Sequence, residues 1–265
     1  MMFRNNLQIR AVALDLDGVV YEGDHVIKGA VEAISGLRKR GIDVYFVTNN
    51  SGKKRASIVT KLNTMGIKST ADYIVTSGYA AAVLVNRLCR AEDDKILVLG
   101  SEELEEEFVQ FHRKVVHGLP ANILVVGFDK TFNYEKLSLG LNALRQGAIF
   151  VACNRDRVFP VGDNQVLPAC GPMVAALEWA WGKEADYVVG KPNIMMLDLI
   201  ARERGFKPHE ILVVGDTMES DIAMAINYCS PSVFISANLE KADIELTPNM
   251  RISSLNHLLQ ALSGL

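Results

Sequence analysis

No stretch of this 265-residue chain approaches the ~20 consecutive apolar residues that a membrane-spanning helix needs. Its opening, MMFRNNLQIR, lacks the apolar segment of a secretory signal, so the expectation is a cytoplasmic protein with no membrane partner. Basic residues are not in excess: 28 Lys and Arg face 31 Asp and Glu, a formal charge of −3. A general grip on nucleic acid wants a basic face, which excludes that partner too. Any anionic ligand must then be held by a local cluster. Cysteines are few. Cys89, Cys153, Cys170 and Cys229 form no CxxC and stand at no His spacing that suggests zinc, so free thiols, packed as small hydrophobes, are expected. Internal repeats, low-complexity tracts and Gly/Ser/Pro linkers are also missing. The length leaves room for one large domain or two modest ones.

What the chain does have is a short apolar run followed by a helical pattern, again and again. Strands are expected at Ile9–Leu14, Ile42–Val47, Tyr73–Val75, Ile96–Leu99, Ile123–Val126, Ile149–Ala152, Tyr187–Val189, Ile211–Val214 and Val233–Ile235. Amphipathic helical stretches include Ala30–Arg40, Lys54–Met65, Tyr134–Gln146, Ile194–Arg204 and Met218–Tyr228. Gly41, Gly66, Gly147 and Gly205 stand where helices should stop. This alternation predicts an α/β protein with a doubly wound, Rossmann-like parallel sheet. Three strand ends carry capable side chains: Asp15 and Asp17 after the first, Thr48 and Asn49 after the second, and Asp216, with Asp221 beyond it, after a late one. Ligands of open parallel sheets bind just past the carboxyl ends of the strands, so these clusters can converge on one crevice.

The chemistry follows from residue types. In Asp15-Leu16-Asp17-Gly18 the two carboxylates share a face of an extended chain, and Gly18 permits a sharp turn. One carboxylate can attack phosphorus and form an acyl phosphate; the other can protonate the leaving oxygen and later deprotonate water. An Asp-rich turn is the bland alternative. A calcium loop is not, because its fifth position would be Val19. Thr48, Asn49 and Asn50 offer a hydroxyl and successive N–H groups before a helix expected near Lys53, a setting that suits a phosphate dianion or simple capping by Ser51. Lys191 precedes Pro192, a residue suited to a first helical turn, and a cation fixed there can stabilise a transferring phosphoryl group. Asp216, Glu219 and Asp221 surround a helix start, where acids serve either magnesium or the helix dipole.

Together the motifs DLDGVVY, TNNS, GKPN and GDTMESDI resemble the haloacid dehalogenase superfamily, within it the branch of p-nitrophenyl, phosphoglycolate, pyridoxal and NagD-type nucleotide phosphatases. The middle segments VVGFDKTFNYEKL, FVACNRD and PACGPMVAALE look like the same branch, so the likeness runs almost the whole chain. The resemblance implies nucleophile Asp15, acid/base Asp17, phosphate ligands Thr48, Asn49, Asn50 and Lys191, and Mg2+ held by Asp15, the Asp17 carbonyl, Asp216 and Asp221. It also implies an α/β cap inserted at 78–182, leaving 1–77 and 183–265 as one discontinuous core. Asn154 and Asp156, just past an apolar strand of that insert, are candidates for touching the substrate's leaving group. Two departures stand out. Glu219 replaces an Asp common in relatives, and the segment after Asp221, AINYCSPSVFISANLEKADI, lacks their usual ending. A homo-oligomer is compatible with the sequence. The reading is a magnesium-dependent phosphatase of small phosphorylated metabolites. A phosphotransferase or mutase through the same aspartyl phosphate, a receiver-like switch and a non-catalytic phospho-ligand binder are the alternatives. Receivers place the acceptor Asp after a middle strand, whereas Asp15 follows the first.

Overall fold

The computed structural model describes residues 8–162, 165–236 and 246–262. In chain order it begins β1 (Ala11–Leu14), β2 (Tyr21–Glu22), β3 (His25–Val26), α1 (Ala30–Lys39), β4 (Asp43–Thr48), α2 (Arg55–Thr64), β5 (Ile74–Thr76) and α3 (Ser77–Leu88). Next come β6 (Lys95–Leu99), α4 (Glu102–Val109), β7 (Lys114–Val116), β8 (Ile123–Val126), α5 (Tyr134–Arg145) and β9 (Ile149–Ala152). The chain continues through β10 (Val158–Gly162), β11 (Gln165–Pro168), α6 (Cys170–Trp181), β12 (Tyr187–Val188) and α7 (Met195–Arg204). It ends in β13 (Ile211–Gly215), α8 (Ala223–Asn227), β14 (Ser232–Ile235), β15 (Met250–Ile252) and α9 (Leu258–Ala261). None of the helices among the described residues is long and apolar enough to cross a membrane.

Two compact units result. The first holds Met1–Thr48, Val59–Val75 and Lys191–Leu265, and the second Asn49–Ile58 and Thr76–Gly190. The first is built on a sheet of order β15-β14-β13-β1-β4-β5. β1 lies between β13 and β4, parallel to both, with Leu14 level with Val214 on one side and Phe46 on the other. All four residues of β1 are buried, as a central strand covered on both faces requires. Helix α1 covers part of it: Ala30, Ala33, Ile34 and Leu37 recur at i, i+3, i+4 and i+7 and form the buried stripe. Gly41 then takes a left-handed φ of 75°, and the chain turns into β4.

The second unit carries its own parallel sheet, of order β12-β9-β8-β6-β7, beside the antiparallel hairpin β10-β11. Its strands β8 and β9 are buried apolar runs, Ile-Leu-Val-Val and Ile-Phe-Val-Ala. The expected parallel α/β class thus appears in both units. Several expected boundaries move. α2 starts at Arg55 rather than near Lys53, and α7 starts at Met195, so Pro192 lies in the preceding turn instead of the first helical one. The stretch expected as one helix from Met218 to Tyr228 is a π turn, Met218–Ile222, followed by α8. Of the four free cysteines only Cys153 and Cys170 are buried; Cys229 is exposed. The atypical run after Asp221 passes partly through 237–245, outside the described residues.

Candidate active site

Register alone delivers the first acids. Because Leu14 is level with Val214, Asp15 emerges beside the end of β13, and its backbone N–H donates to the Val214 carbonyl at 2.9 Å. Leu16, fully buried, anchors the turn that follows, and its carbonyl accepts from the N–H groups of Val19, Val20 and Tyr21. Gly18 adopts a φ of 80°, and a Cβ there would fall inside the Asp216 carboxylate. Gly215 has the same duty for the other acid, since a Cβ there would overlap the side chain of Asp221. Two glycines therefore clear the space that two carboxylates fill.

Lys191 sits at the centre. Its Nζ donates to Asp15 Oδ1 at 2.6 Å and to Asp221 Oδ1 at 2.7 Å, with only 5% of the residue exposed. Asp221 is held from behind: its N–H donates to the Thr217 carbonyl at 2.9 Å, and Oδ2 accepts from Thr217 N–H at 3.2 Å. The π turn widens the backbone ring and allows this tucked position one turn past Asp216. Asp15, Asp216 and Asp221 each offer a carboxylate oxygen, all within 4.8 Å of one another.

Crowding of acids shows in their titration. Burial pushes Asp15 from the ordinary 3.8 up to about 6; Lys191 opposes the shift, while Asp216 adds to it. Burial likewise lifts Asp221 to about 6 against Lys191, and Asp216 to about 6 with Asp221 adding to the rise. Asp17 is raised as well, by desolvation, with Lys61 and Lys191 pulling the other way. Burial alone would depress the Lys191 ammonium, but Asp15 and Asp221 outweigh it and hold its pKa above the usual lysine value. A buried cation between two carboxylates stays charged. Three hard oxygen donors with a local excess of negative charge match what a divalent cation such as magnesium takes, so these residues fit a metal.

The sequence-predicted residues Asp15, Asp17, Thr48, Lys191, Asp216 and Asp221 all belong to the first unit. Thr48 closes β4 and is buried. Asn49 and Asn50 follow directly but belong to the second unit, as do Asn154 and Asp156. Within that unit the Asn49 side-chain Nδ2 donates to Asp156 Oδ1 at 2.9 Å, and the Asn49 backbone carbonyl accepts from Asn154 Nδ2 at 2.6 Å and Ser77 Oγ at 2.7 Å. Asn154 Oδ1 in turn accepts from Asp156 N–H at 3.0 Å, so the buried Asn154 is spent on its neighbours. Asn50 Oδ1 accepts from Gly52 N–H at 3.0 Å.

The start of α2 is otherwise employed. Lys54 N–H donates to Glu103 Oε2 at 3.2 Å and Arg55 N–H to Glu107 Oε1 at 2.8 Å. Ser51 does not cap it: its Oγ accepts from Phe128 N–H at 2.9 Å. Those first N–H groups are taken by α4 and are not presented to a ligand. Ser77 and Lys61 escaped the sequence reading. Lys61 lies 3.9 Å from the Tyr21 ring centroid and acts on Asp17, yet neither residue belongs to a motif.

Comparison with known proteins points one way. Signatures described as haloacid dehalogenase-like hydrolase and HAD-hydrolase-like match residues 12–113 and 188–258. Phosphoglycolate phosphatase 1A of Arabidopsis thaliana, a chloroplastic protein, is 32% identical over 278 residues, spanning 95% of this chain and 76% of its own. A 4-nitrophenylphosphatase from Thermotoga maritima superposes with a TM-score of 0.88 at 28% identity, covering 96% of this chain and 97% of its own. A glycerol phosphate phosphatase from Mycobacterium tuberculosis, solved in complex with magnesium, gives 0.86 at 29% identity, with 95% and 77% covered.

Proposed function

This chain belongs to the haloacid dehalogenase-like hydrolase family, and on that premise we propose that it is a magnesium-dependent phosphatase of small phosphorylated metabolites acting through an aspartyl phosphate on Asp15. The observation that carries the reading is the Lys191 ammonium bonded to both Asp15 and Asp221, with Asp216 completing a three-carboxylate cluster. An Asp15 oxygen attacks phosphorus as the bond to the leaving oxygen breaks, and Asp17 gives that oxygen its proton. Water then attacks the acyl phosphate, Asp17 takes a proton from it, and the bond from phosphorus to Asp15 breaks to release phosphate. Lys191 holds positive charge beside the equatorial oxygens. Thr48 and the Asn49–Asn50 segment bind phosphate oxygens, the N–H groups of Lys54 and Arg55 being already engaged. Asp15, Asp216, Asp221 and the Asp17 carbonyl would hold magnesium, whose charge offsets repulsion between these acids and the phosphate dianion.

Residues 78–182 are proposed to act as a cap that selects the substrate while the first unit supplies the chemistry. Phosphate release from a panel led by phosphoglycolate and glycerol phosphate, the substrates named for its relatives, tests the proposal. Turnover should need added magnesium and stop in chelator. Full activity in excess chelator would refute the metal, and transfer to a sugar acceptor in preference to water would make the enzyme a phosphotransferase.

A further inference from the structure

At the edge of the first unit's sheet opposite the acids lies a cavity of about 370 Å³ lined by Arg38, Asp43, Lys68, Ser69, Thr70 and Tyr73. Asp43 is the first residue of β4 and Tyr73 immediately precedes β5, so the cavity opens at the amino ends of strands whose carboxyl ends face the catalytic side. Its volume is in the range of small-molecule sites, roughly 300–1,000 Å³.

The half-buried Arg38 guanidinium donates from Nη1 to the Lys68 carbonyl at 2.6 Å. Among the described residues it makes no other side-chain hydrogen bond and no ion pair, and neither does the Lys68 ammonium. A guanidinium has five N–H donors, so most of its capacity is unspent. Burial also holds Arg38 below its ordinary value, with Tyr73 pulling the other way. Asp43 lines the same cavity without neutralising either cation, which disfavours a bare anion beside it but suits a ligand with hydroxyl donors. Thr70 adds a hydroxyl of its own, while the Ser69 Oγ donates to the Thr70 carbonyl at 3.4 Å.

We propose that this cavity binds a small hydroxylated oxyanion, its phosphate or carboxylate head on Arg38 and Lys68 and its hydroxyls toward Asp43, at a site separate from the catalytic acids. Malate and glycerol 3-phosphate serve as the probes, one for each kind of head group. They are titrated into the full-length Asp15→Asn protein, which spares the phosphate ester from turnover, and followed by amide NMR. Saturable shifts are expected at residues 41–44 and 68–73, with a Kd on the order of 1 mM or tighter for at least one probe. Which probe binds identifies the head group. Arg38→Gln and the exposed Lys68→Met should each weaken it about tenfold or more, the loss of one charge-assisted contact. In the otherwise unaltered enzyme, both should leave p-nitrophenyl phosphate turnover within about twofold, since neither residue belongs to the catalytic cluster. Shifts confined to amides around Asp15 and Lys191, no saturable shift at 41–44 and 68–73, or equal affinity in both variants would each overturn the proposal.

Discussion

A carboxylate differs from an amide by one heavy atom, and at Asp15 that atom decides whether an acyl phosphate can form. Asp15→Asn should lower kcat by about 10⁴-fold or more while circular dichroism stays native, and retention of more than a few per cent of activity would remove Asp15 from the role. Asp17→Asn should slow turnover by about 10²–10⁴-fold on an alkyl phosphate, because only proton transfer is lost. An aryl phosphate, whose leaving group needs less help, should suffer less in the step that forms the intermediate. Equal losses on both would argue for a different part in the reaction. These acids were readable because Asp15-Leu16-Asp17-Gly18 follows an apolar run and has few other uses. Lys61 was not, since a lysine inside an amphipathic helix looks like any solvated one until the fold brings it to Tyr21.

Elements were legible in proportion to their burial. β8 and β9 are apolar throughout and match their expected limits, whereas the three-residue β7 starts on an exposed Lys114 and the four residues of β11 are all exposed. α4 was hidden for another reason. Glu-rich and with few apolar positions, it turns its carboxylates to the start of α2: Glu103 pairs with Lys53 at 2.6 Å, Glu106 with Lys54, and Glu107 with Arg55 at 3.5 Å. Glu107→Ala, which removes the buried carboxylate that accepts from the part-buried Arg55 N–H, should cost about 1–3 kcal/mol and lower the urea midpoint, with Glu107→Gln recovering most of the loss. An unchanged midpoint in Glu107→Ala would show that water replaces it freely. Asp156 holds the Asn49 amide, so Asp156→Ala is expected to reduce kcat/KM by a similar factor for every substrate. An uneven loss across substrates would instead favour direct contact with the leaving group.

For the molecule as a whole, the acid cluster sets how stability depends on pH. Asp15, Asp216 and Asp221 titrate near 3.8 when unfolded and about 6 when folded, so the folded chain binds more protons between those values. Their contribution to stability is complete below about 4 and is lost as pH rises through about 6. Without metal, Tm should be at least about 3 °C higher at pH 5 than at pH 7.5, and magnesium should raise Tm more at pH 7.5, where the ligands are ionised. A Tm indifferent to magnesium at pH 7.5 would deny the cluster its metal. The parallel α/β class was legible from alternating runs. The unit boundaries were harder to see, because Asn49–Ile58 joins the second unit without any change in composition. The placing of β1 between β4 and β13 bears on biosynthesis as well. Ala11 is level with Asp43 on one side but with Ile211 on the other, so one flank of the central strand stays open until β13 has left the ribosome. The strands β6 to β12 emerge as one unbroken stretch and can pair earlier. During that interval the nascent chain carries an apolar strand that is open on one flank and ends in Asp15, and chaperone demand should fall on the first unit rather than the second.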